Sequence, residues 1–176
     1  MRKRLGVMCS GNGTNFENIV KSCWDHEVVL MVYNNEDCGA VQRATKYGIP
    51  SAYFTHKEEA KIINEFKWQK VDYIILAGWM RILSEGFIEA FPNRIINVHP
   101  SLLPKYKGLH AVEQAIHSKD KVTGCTVHYV NNELDGGEII QQAKVPIFDT
   151  DNTEILTKRI QREEYRILPE VIKKLP

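Results

Sequence analysis

The chain has 176 residues, 43% of them hydrophobic and 26% charged, which suits one compact domain and excludes a disordered or fibrous protein. A formal net charge of +1 provides little field to gather nucleic acid, so we expect small-molecule substrates. We expect no membrane partner, because the apolar runs are too short to span a bilayer and the first residues do not resemble a signal peptide. Four cysteines without Cys-x-x-Cys spacing predict buried, reduced thiols and a cytoplasmic location.

Short β-like runs alternate with amphipathic stretches over the first hundred residues. Strands are predicted at 4–9, 27–34, 51–54, 71–78 and 94–98, with helices starting at Asn15 and lying near Ala40 and Ala60. This order is typical of βαβ units, so it predicts an α/β fold with a mostly parallel, twisted sheet and helices on both faces. The runs 71–78 and 94–98 are nearly continuous in Val, Ile and Leu, which indicates central strands, with a buried helix segment as the alternative.

The pattern changes after residue 120. Residues 124–148 form two alternating runs around a turn rich in Asn, Asp and Gly, which predicts an antiparallel addition at the edge of the sheet. A long final helix follows, for which Asp151 and Glu154 have capping-box spacing, and Pro169 should kink it or end a segment of it. We therefore expect a single domain that comprises residues 1–176.

A Gly-x-Gly turn links the first strand to the first helix at residues 9–19. Glycine allows close backbone approach, and exposed amides at a helix start favour an anion, so this loop is a candidate phosphate site. It is not a complete dinucleotide-binding motif, because position 16 is Phe, and it lacks the Lys of a Walker A loop. A tight turn in which Thr14 caps the helix, in a box with Glu17, is an equally good interpretation.

The stretch 77–87 places an aromatic and apolar loop after a buried strand. Ligands of open α/β sheets collect at the carboxyl ends of strands, so this loop could line a pocket for a flat heterocycle. The alternative, favoured by the local sequence, is a helix start capped by Ser84 with Trp79 and Met80 in the core.

Asn97 and His99 end the strand that precedes Pro100 and Pro104. Alternation places their side chains on one side of an extended chain, where both could donate to a developing oxyanion. A lone histidine is more often structural, but the paired asparagine favours catalysis. Asp135, before two glycines, could orient His99 and move a proton through water, although Asp-Gly-Gly is also ordinary turn chemistry.

Metal and nucleophile chemistry find no support in the sequence. His110, His117 and His128 have no ligand spacing, and there is no Gly-x-Ser-x-Gly elbow around Ser10 or Ser101. We therefore expect catalysis by positioned hydrogen-bond donors, with no covalent step and no metal.

The motifs SGNGTN, LAGWMRIL, NVHPSLLPKYKGLHA and VHYVNNELDGGEII, in this order, resemble those of the phosphoribosylglycinamide formyltransferases. The resemblance covers essentially the whole chain, and the Asn-x-His-Pro-Ser-Leu-Leu-Pro loop followed by Leu-Asp-Gly-Gly is its most specific part. It implies a Rossmann-like formyltransferase fold. It also implies transfer of a formyl group from the co-substrate 10-formyltetrahydrofolate to the amine of glycinamide ribonucleotide, in purine (IMP) synthesis.

The resemblance also implies roles for individual residues. Asn97 and protonated His99 match the groups that stabilise a tetrahedral oxyanion, and Asp135 matches the carboxylate that orients the histidine and assists proton movement. The residues that match the ribonucleotide site are Gly13, Thr14 and Asn15, for the phosphate, and Glu164, for the glycinamide. The residues that match the backbone around the pterin of the folate are Met80, Arg81, Ile82, Leu83, Val130, Asn131, Asn132, Glu133 and Leu134.

The chain departs from the family pattern at a few positions. Trp79 stands where Phe is expected, which should alter the folate pocket without abolishing it. Lys57 falls near a family Arg close to the substrate phosphate or the folate tail, and the chain stops soon after its last helix, where some members continue. The sequence leaves a monomer and a homodimer as alternatives.

Three competing interpretations remain. A formyltetrahydrofolate deformylase shares the catalytic trio, but it carries an additional N-terminal domain for which we expect no room here. A methionyl-tRNA formyltransferase usually has SLLPRWRGAAP and a basic C-terminal domain, whereas residues 101–111 are SLLPKYKGLHA. A non-enzymatic folate- or nucleotide-binding module would need the binding loops but not His99.

Overall fold

The computed structural model describes residues 1–176, and the chain divides into two compact units, residues 1–97 and residues 98–176. Each unit has its own strands, helices and buried apolar side chains. None of the six helices combines the length and the apolar composition that a membrane span requires.

Alternating strands and helices build the first unit. They are β1 (Arg4–Cys9), α1 (Thr14–Ser22), β2 (Glu27–Tyr33), α2 (Ala40–Lys46), β3 (Ser51–Tyr53), α3 (Glu59–Trp68), β4 (Tyr73–Leu76), α4 (Glu85–Ala90) and β5 (Ile95–His99), whose last two residues belong to the second unit. The strands pair in parallel in the order β3-β2-β1-β4-β5. The predicted βαβ order is therefore confirmed.

Strand β1 is central in this unit, because it pairs with β2 on one side and with β4 on the other. Its apolar side chains Leu5, Val7 and Met8 are fully buried, as expected for a strand covered on both faces. Gly6 lets the ring of Phe66, on α3, approach the strand, since a Cβ at position 6 would lie 2.6 Å from that ring. Glycine here sets the distance between helix and strand.

The predicted strand 71–78 is shorter in the structure, where β4 covers only Tyr73–Leu76. Gly78 has a φ of 81°, a left-handed conformation that turns the chain out of the strand direction. The preceding Ala77 is still attached to β1, because its amide donates to the carbonyl of Met8 at 3.0 Å.

The second unit contains α5 (Ala111–His117), β6 (Val122–Tyr129), β7 (Ile139–Pro146) and α6 (Thr153–Lys173). Strands β6 and β7 pair antiparallel, and α6 packs against both of them. The strands approach closely at Gly124, where a Cβ would lie 1.8 Å from the carbonyl oxygen of Ala143. The predicted α/β class, mostly parallel with an antiparallel addition in the C-terminal part, is confirmed.

The start of α6 differs from the prediction. Asn152 caps the helix, because its Oδ1 accepts from the amide of Ile155 at 2.8 Å. Asp151 instead accepts from the amide of Phe148 and forms an ion pair with Arg159, so the predicted capping box of Asp151 is wrong. Pro169 lies inside the helix, which continues to Lys173, so this proline does not end it.

All four cysteines are buried free thiols, as predicted. Burial raises the pKa of the Cys125 thiol to about 12 and moves the pKa of Cys9 upward as well. The thiol of Cys38 donates to the carbonyl oxygen of Gly11 at 3.0 Å.

Candidate active site

His99 and Asp135 form a buried pair in the second unit. The distance from His99 Nδ1 to Asp135 Oδ2 is 3.5 Å, and both side chains are less than 10% exposed. The other ring nitrogen of His99, Nε2, lies 2.8 Å from the carbonyl oxygen of Tyr106. A carbonyl can only accept, so Nε2 carries a hydrogen and the ring is held on both sides. The sequence prediction that Asp135 orients His99 agrees with this geometry.

Steric constraints explain why glycines follow Asp135. Asp135 has a φ of 49°, a left-handed conformation that Asp tolerates better than most residues. A Cβ at Gly137 would lie 1.7 Å from the carbonyl oxygen of Tyr129, so only glycine fits there. The carboxylate itself accepts from the amide of Gly108 at 2.7 Å. The turn therefore directs the Asp135 side chain toward His99 and Gly108.

His128 also contacts Asp135, although its position in the sequence suggested only a possible metal ligand and no ligand spacing supported that. This residue lies near the end of β6, is 2% exposed, and places Nε2 3.8 Å from Asp135 Oδ1. Its Nδ1 donates to the carbonyl oxygen of Tyr129 at 2.9 Å, and burial lowers the pKa of its imidazole. His128 thus lies beside the carboxylate that contacts His99, and its burial favours the neutral imidazole. A histidine inside an apolar strand just before the Asp-Gly-Gly turn was the available signal.

Asn97 lies on β5, two residues before His99, so alternation gives both side chains the same direction from the strand. It is half-buried and pairs in register with Leu76 of β4. Asn97 and His99 therefore lie two positions apart on one strand, as the sequence predicted.

The glycine loop, residues 10–13, is held by the start of α2 in the first unit. The carbonyl of Gly11 accepts from the amide of Ala40 at 3.3 Å, and the carbonyl of Asn12 accepts from Arg43 Nε at 2.7 Å. Gly13, with a φ of 73°, packs so closely that a Cβ would lie 2.5 Å from that of Ala40. This fixed loop precedes the start of the nine-residue α1, a geometry that can bind an anion.

The predicted cap of α1 is wrong. Gly13 occupies the cap position without a side-chain hydrogen bond, and Thr14 and Asn15 are the first residues of the helix. Glu17 does not form a capping box, because its carboxylate accepts from Tyr47 at 2.9 Å and forms ion pairs with Arg43 and other basic side chains. These contacts, the Tyr47 hydrogen bond first, lower the pKa of Glu17 to about 2. The side chain of Glu17 is thus used to tie α1 to α2.

The loop after β4 presents apolar side chains to solvent. Met80 is 65% exposed and Ile82 is 77% exposed, whereas Leu83 is buried. The amide of Met80 donates to Ser10 Oγ at 2.9 Å, which attaches this loop to the glycine loop. The alternative interpretation of this stretch was a helix start capped by Ser84, and this cap is confirmed, since Ser84 Oγ accepts from the amide of Phe87. The same interpretation placed Met80 in the core, which is wrong.

Trp79 and Arg81 flank Met80 and differ in exposure. Trp79 is only 9% exposed, as the core interpretation predicted, and its Nε1 has no hydrogen-bond partner in the protein. Arg81 is exposed.

The other sequence-predicted residues lie in the second unit, apart from Lys57. Val130 is half-buried, and the exposed members of that loop are Asn131, Asn132, Glu133 and Leu134. Glu164 lies on α6 and is 7% exposed. Lys57 is exposed before α3. No group of three or more His, Cys, Asp or Glu side chains could hold a metal ion.

Comparison with known proteins identifies the chain. Residues 3–172 match the protein family described as formyl transferase. The phosphoribosylglycinamide formyltransferases of Haemophilus influenzae and Escherichia coli are each 40% identical to it, over 97% and 94% of this chain and 86% and 84% of their own lengths. The trifunctional purine biosynthetic protein adenosine-3 of Drosophila melanogaster is also 40% identical, over 97% of this chain, but the chain spans only 14% of that protein.

Solved structures agree with the sequence comparison. The crystal structure of glycinamide ribonucleotide transformylase 1 from Symbiobacterium toebii superposes with a TM-score of 0.95 at 38% identity, covering 98% of this chain and 86% of that one. Phosphoribosylglycinamide formyltransferase from Bacillus halodurans gives 0.93 at 38% identity, covering 98% and 94%. The resemblance to the phosphoribosylglycinamide formyltransferases is therefore confirmed, and the chain belongs to the formyl transferase family.

Proposed function

We propose that the protein transfers a formyl group from 10-formyltetrahydrofolate to the primary amine of glycinamide ribonucleotide, a step of purine (IMP) synthesis. The observation that carries this proposal is the buried His99–Asp135 pair, 3.5 Å apart, in a chain that belongs to the formyl transferase family. The 40% identity to the phosphoribosylglycinamide formyltransferases of Haemophilus influenzae and Escherichia coli supports the choice of substrates.

The transfer proceeds by direct attack. The amine nitrogen of the ribonucleotide bonds to the formyl carbon, and the carbonyl oxygen becomes a tetrahedral oxyanion. The bond from that carbon to N10 then breaks, while the proton lost by the amine moves to N10. The products are formylglycinamide ribonucleotide and tetrahydrofolate, so atoms and charge balance without an external oxidant or a metal.

Asn97 donates its amide hydrogen to the oxyanion, and the positive charge of protonated His99 stabilises it. Asp135 holds His99, because its carboxylate lies 3.5 Å from the ring, and it accepts the amine proton through water. The ring of His99 is already oriented by Tyr106 before any substrate binds, which supports a preorganised site.

Two sets of residues bind the substrates in this proposal. Gly13, Thr14 and Asn15 hold the ribonucleotide phosphate at the start of α1, and Glu164 contacts the glycinamide. The exposed apolar side chains of Met80 and Ile82 suit an aromatic heterocycle. The residues proposed for the folate are Met80, Arg81, Ile82, Leu83, Val130, Asn131, Asn132, Glu133 and Leu134.

We further propose that both units work as one formyltransferase domain, as the family match over residues 3–172 supports. Buried free thiols suit a reducing compartment, which supports the cytoplasm as the location. The protein acts as a monomer or homodimer on small molecules, without nucleic acid or membrane partners.

The deciding assay measures tetrahydrofolate release from 10-formyltetrahydrofolate with and without glycinamide ribonucleotide. We expect release that depends on the ribonucleotide and yields one formylated amine for each folate released. Release that ignores the ribonucleotide would instead indicate a deformylase, and tight binding of both ligands without turnover would indicate a binding module.

A further inference from the structure

Residues 106–108 contact both members of the His99–Asp135 pair through backbone groups. The carbonyl oxygen of Tyr106 accepts from His99 Nε2 at 2.8 Å. Two residues later, the amide of Gly108 donates to Asp135 Oδ2 at 2.7 Å. One short segment therefore supplies the acceptor that orients the histidine and the donor that orients the carboxylate.

The direction of the Tyr106 carbonyl depends on an unusual backbone conformation. Tyr106 has a φ of 55°, a left-handed value that is unfavourable for a residue with a large side chain. Such a conformation persists only where surrounding contacts hold it. The contacts of the Tyr106 side chain therefore bear on the position of His99.

The hydroxyl of Tyr106 is held by Asp120, in the connection between α5 and β6. It donates to Asp120 Oδ2 at 2.5 Å, and Lys105 Nζ donates to the same oxygen at 2.8 Å. The hydrogen bond from Lys105, and after it the one from Tyr106, lower the pKa of the Asp120 carboxyl, so the contact with Tyr106 is charge-assisted at neutral pH. Asp120 forms no hydrogen bond or ion pair with His99 or Asp135, and Tyr106 connects it to the ring of His99.

We propose that Asp120 and the Tyr106 hydroxyl are positioning residues for His99, with Asp120 acting on the catalytic pair from outside it. Asp120 fixes the tyrosine ring, the ring keeps Tyr106 in its left-handed conformation, and the Tyr106 carbonyl then holds His99 Nε2. The role in turnover rests on the proposed function, whereas the role in holding the ring of His99 does not.

The first test follows the hydrogen on His99 Nε2 by NMR in ¹⁵N-labelled protein, with the signal assigned by its loss in His99→Gln. Tyr106→Phe removes the hydroxyl and keeps both the ring and the backbone carbonyl. We expect its Nε2 hydrogen to exchange with solvent about ten-fold faster, and the same in Asp120→Ala, because the His99–Tyr106 bond opens more often.

The matched control is Lys121→Met. Lys121 is the next residue after Asp120 and forms an ion pair with Asp149 at 3.2 Å, so this variant also breaks an exposed Lys–Asp pair. It should exchange at the parent rate. Unchanged exchange in Tyr106→Phe would overturn the proposal. If Asp120→Ala does not fold, Tyr106→Phe decides alone.

The second test is kinetic. Tyr106→Phe should lower kcat about ten-fold, because a displaced catalytic group stabilises the transition state less well. The KM for glycinamide ribonucleotide should stay within about two-fold of the parent value. Lys121→Met should keep both values. A loss confined to KM, or no loss at all, contradicts the positioning role. If the parent protein transfers no formyl group, the proposed function fails, and the exchange measurement still decides whether Asp120 positions His99.

Discussion

The glycine loop of the first unit and the His99–Asp135 pair of the second unit are both fixed before a ligand binds, but by different combinations of forces. Close packing adds to the two hydrogen bonds that hold the loop, since Gly13 leaves no room for a Cβ against Ala40. Hydrogen bonds fix the pair, because Tyr106 holds the histidine and the amide of Gly108 holds the carboxylate. A binding loop for a phosphate needs backbone amides at short range, whereas a catalytic pair needs defined directions for its protons.

This difference predicts two classes of variant. Substitutions in the loop should cost stability and substrate affinity together, because the same packing serves both. Isosteric substitutions in the pair should cost turnover and leave stability nearly unchanged, because the carboxylate and its amide analogue have the same shape.

Asp135→Asn should have the largest effect on turnover. The carboxamide oxygen can still accept from Gly108, so the loop keeps its shape, but the negative charge beside His99 is lost. We expect kcat to fall on the order of 10³-fold with little change in the melting temperature. Asp149→Asn, at a carboxylate that is 93% exposed, is the control. Turnover near the parent value would remove Asp135 from the mechanism.

Asn97→Ala should lower kcat by ~10²-fold or more, the usual cost of one oxyanion donor. Affinity for glycinamide ribonucleotide, measured by calorimetry, should be largely kept. If this variant turns over normally, Asn97 does not stabilise the oxyanion.

Gly13→Ala tests the other region. The new Cβ would lie 2.5 Å from Ala40 Cβ at a φ of +73°, so we expect a loss of about 2 kcal/mol or more in the free energy of unfolding and weaker ribonucleotide binding. Gly48→Ala shares the positive φ but has open space, and Gly11→Ala has open space without a positive φ. Urea unfolding should rank the three losses in that order, and equal losses at Gly13 and Gly48 would exclude packing as the cause.

The smallest effect concerns Glu17, whose contacts with Tyr47 and basic side chains lower its pKa from 4.5 to about 2. A carboxyl with a lowered pKa stabilises the folded state fully above its unfolded value, and this stability is lost as the pH falls toward the folded value. The melting temperature of the parent should therefore decrease more than that of Glu17→Gln between pH 4.5 and pH 2. Glu36→Gln, at an exposed carboxylate, is the control variant. Parallel curves of melting temperature against pH for the parent and Glu17→Gln would contradict the prediction.

The pattern of the chain predicted the strands and the turn that carries Asp135, because both depend on local signals. Apolar runs indicate β4 and β5. The glycines of the Asp-Gly-Gly turn indicate a close backbone approach, which the structure shows at Gly137. Helix caps were harder to predict from the sequence, because neighbouring polar side chains compete for the same backbone amides at a helix start. Asn152 takes the position that spacing assigned to Asp151, because Asp151 is engaged by Arg159.

Two other contacts of the site, those of His128 and of Asp120, left no pattern in the sequence. His128 reaches Asp135 only because the turn after β6 folds back, and Asp120 reaches Tyr106 across fourteen positions of the chain. Neither residue belongs to a spacing motif. Their roles depend on where a carbonyl or a hydroxyl ends in space, which composition and periodicity do not encode.

The buried thiols provide a way to watch each unit open. Cys9, Cys23 and Cys38 lie in the first unit and Cys125 lies in the second, all at most 4% exposed. A thiol-specific reagent can label them only when the surrounding structure opens, so labelling rates report local unfolding free energies. Mass spectrometry of the labelled peptides would then show whether Cys125 is modified together with the other three. The cysteines thus turn the question of one cooperative domain or two into a single experiment on the native chain.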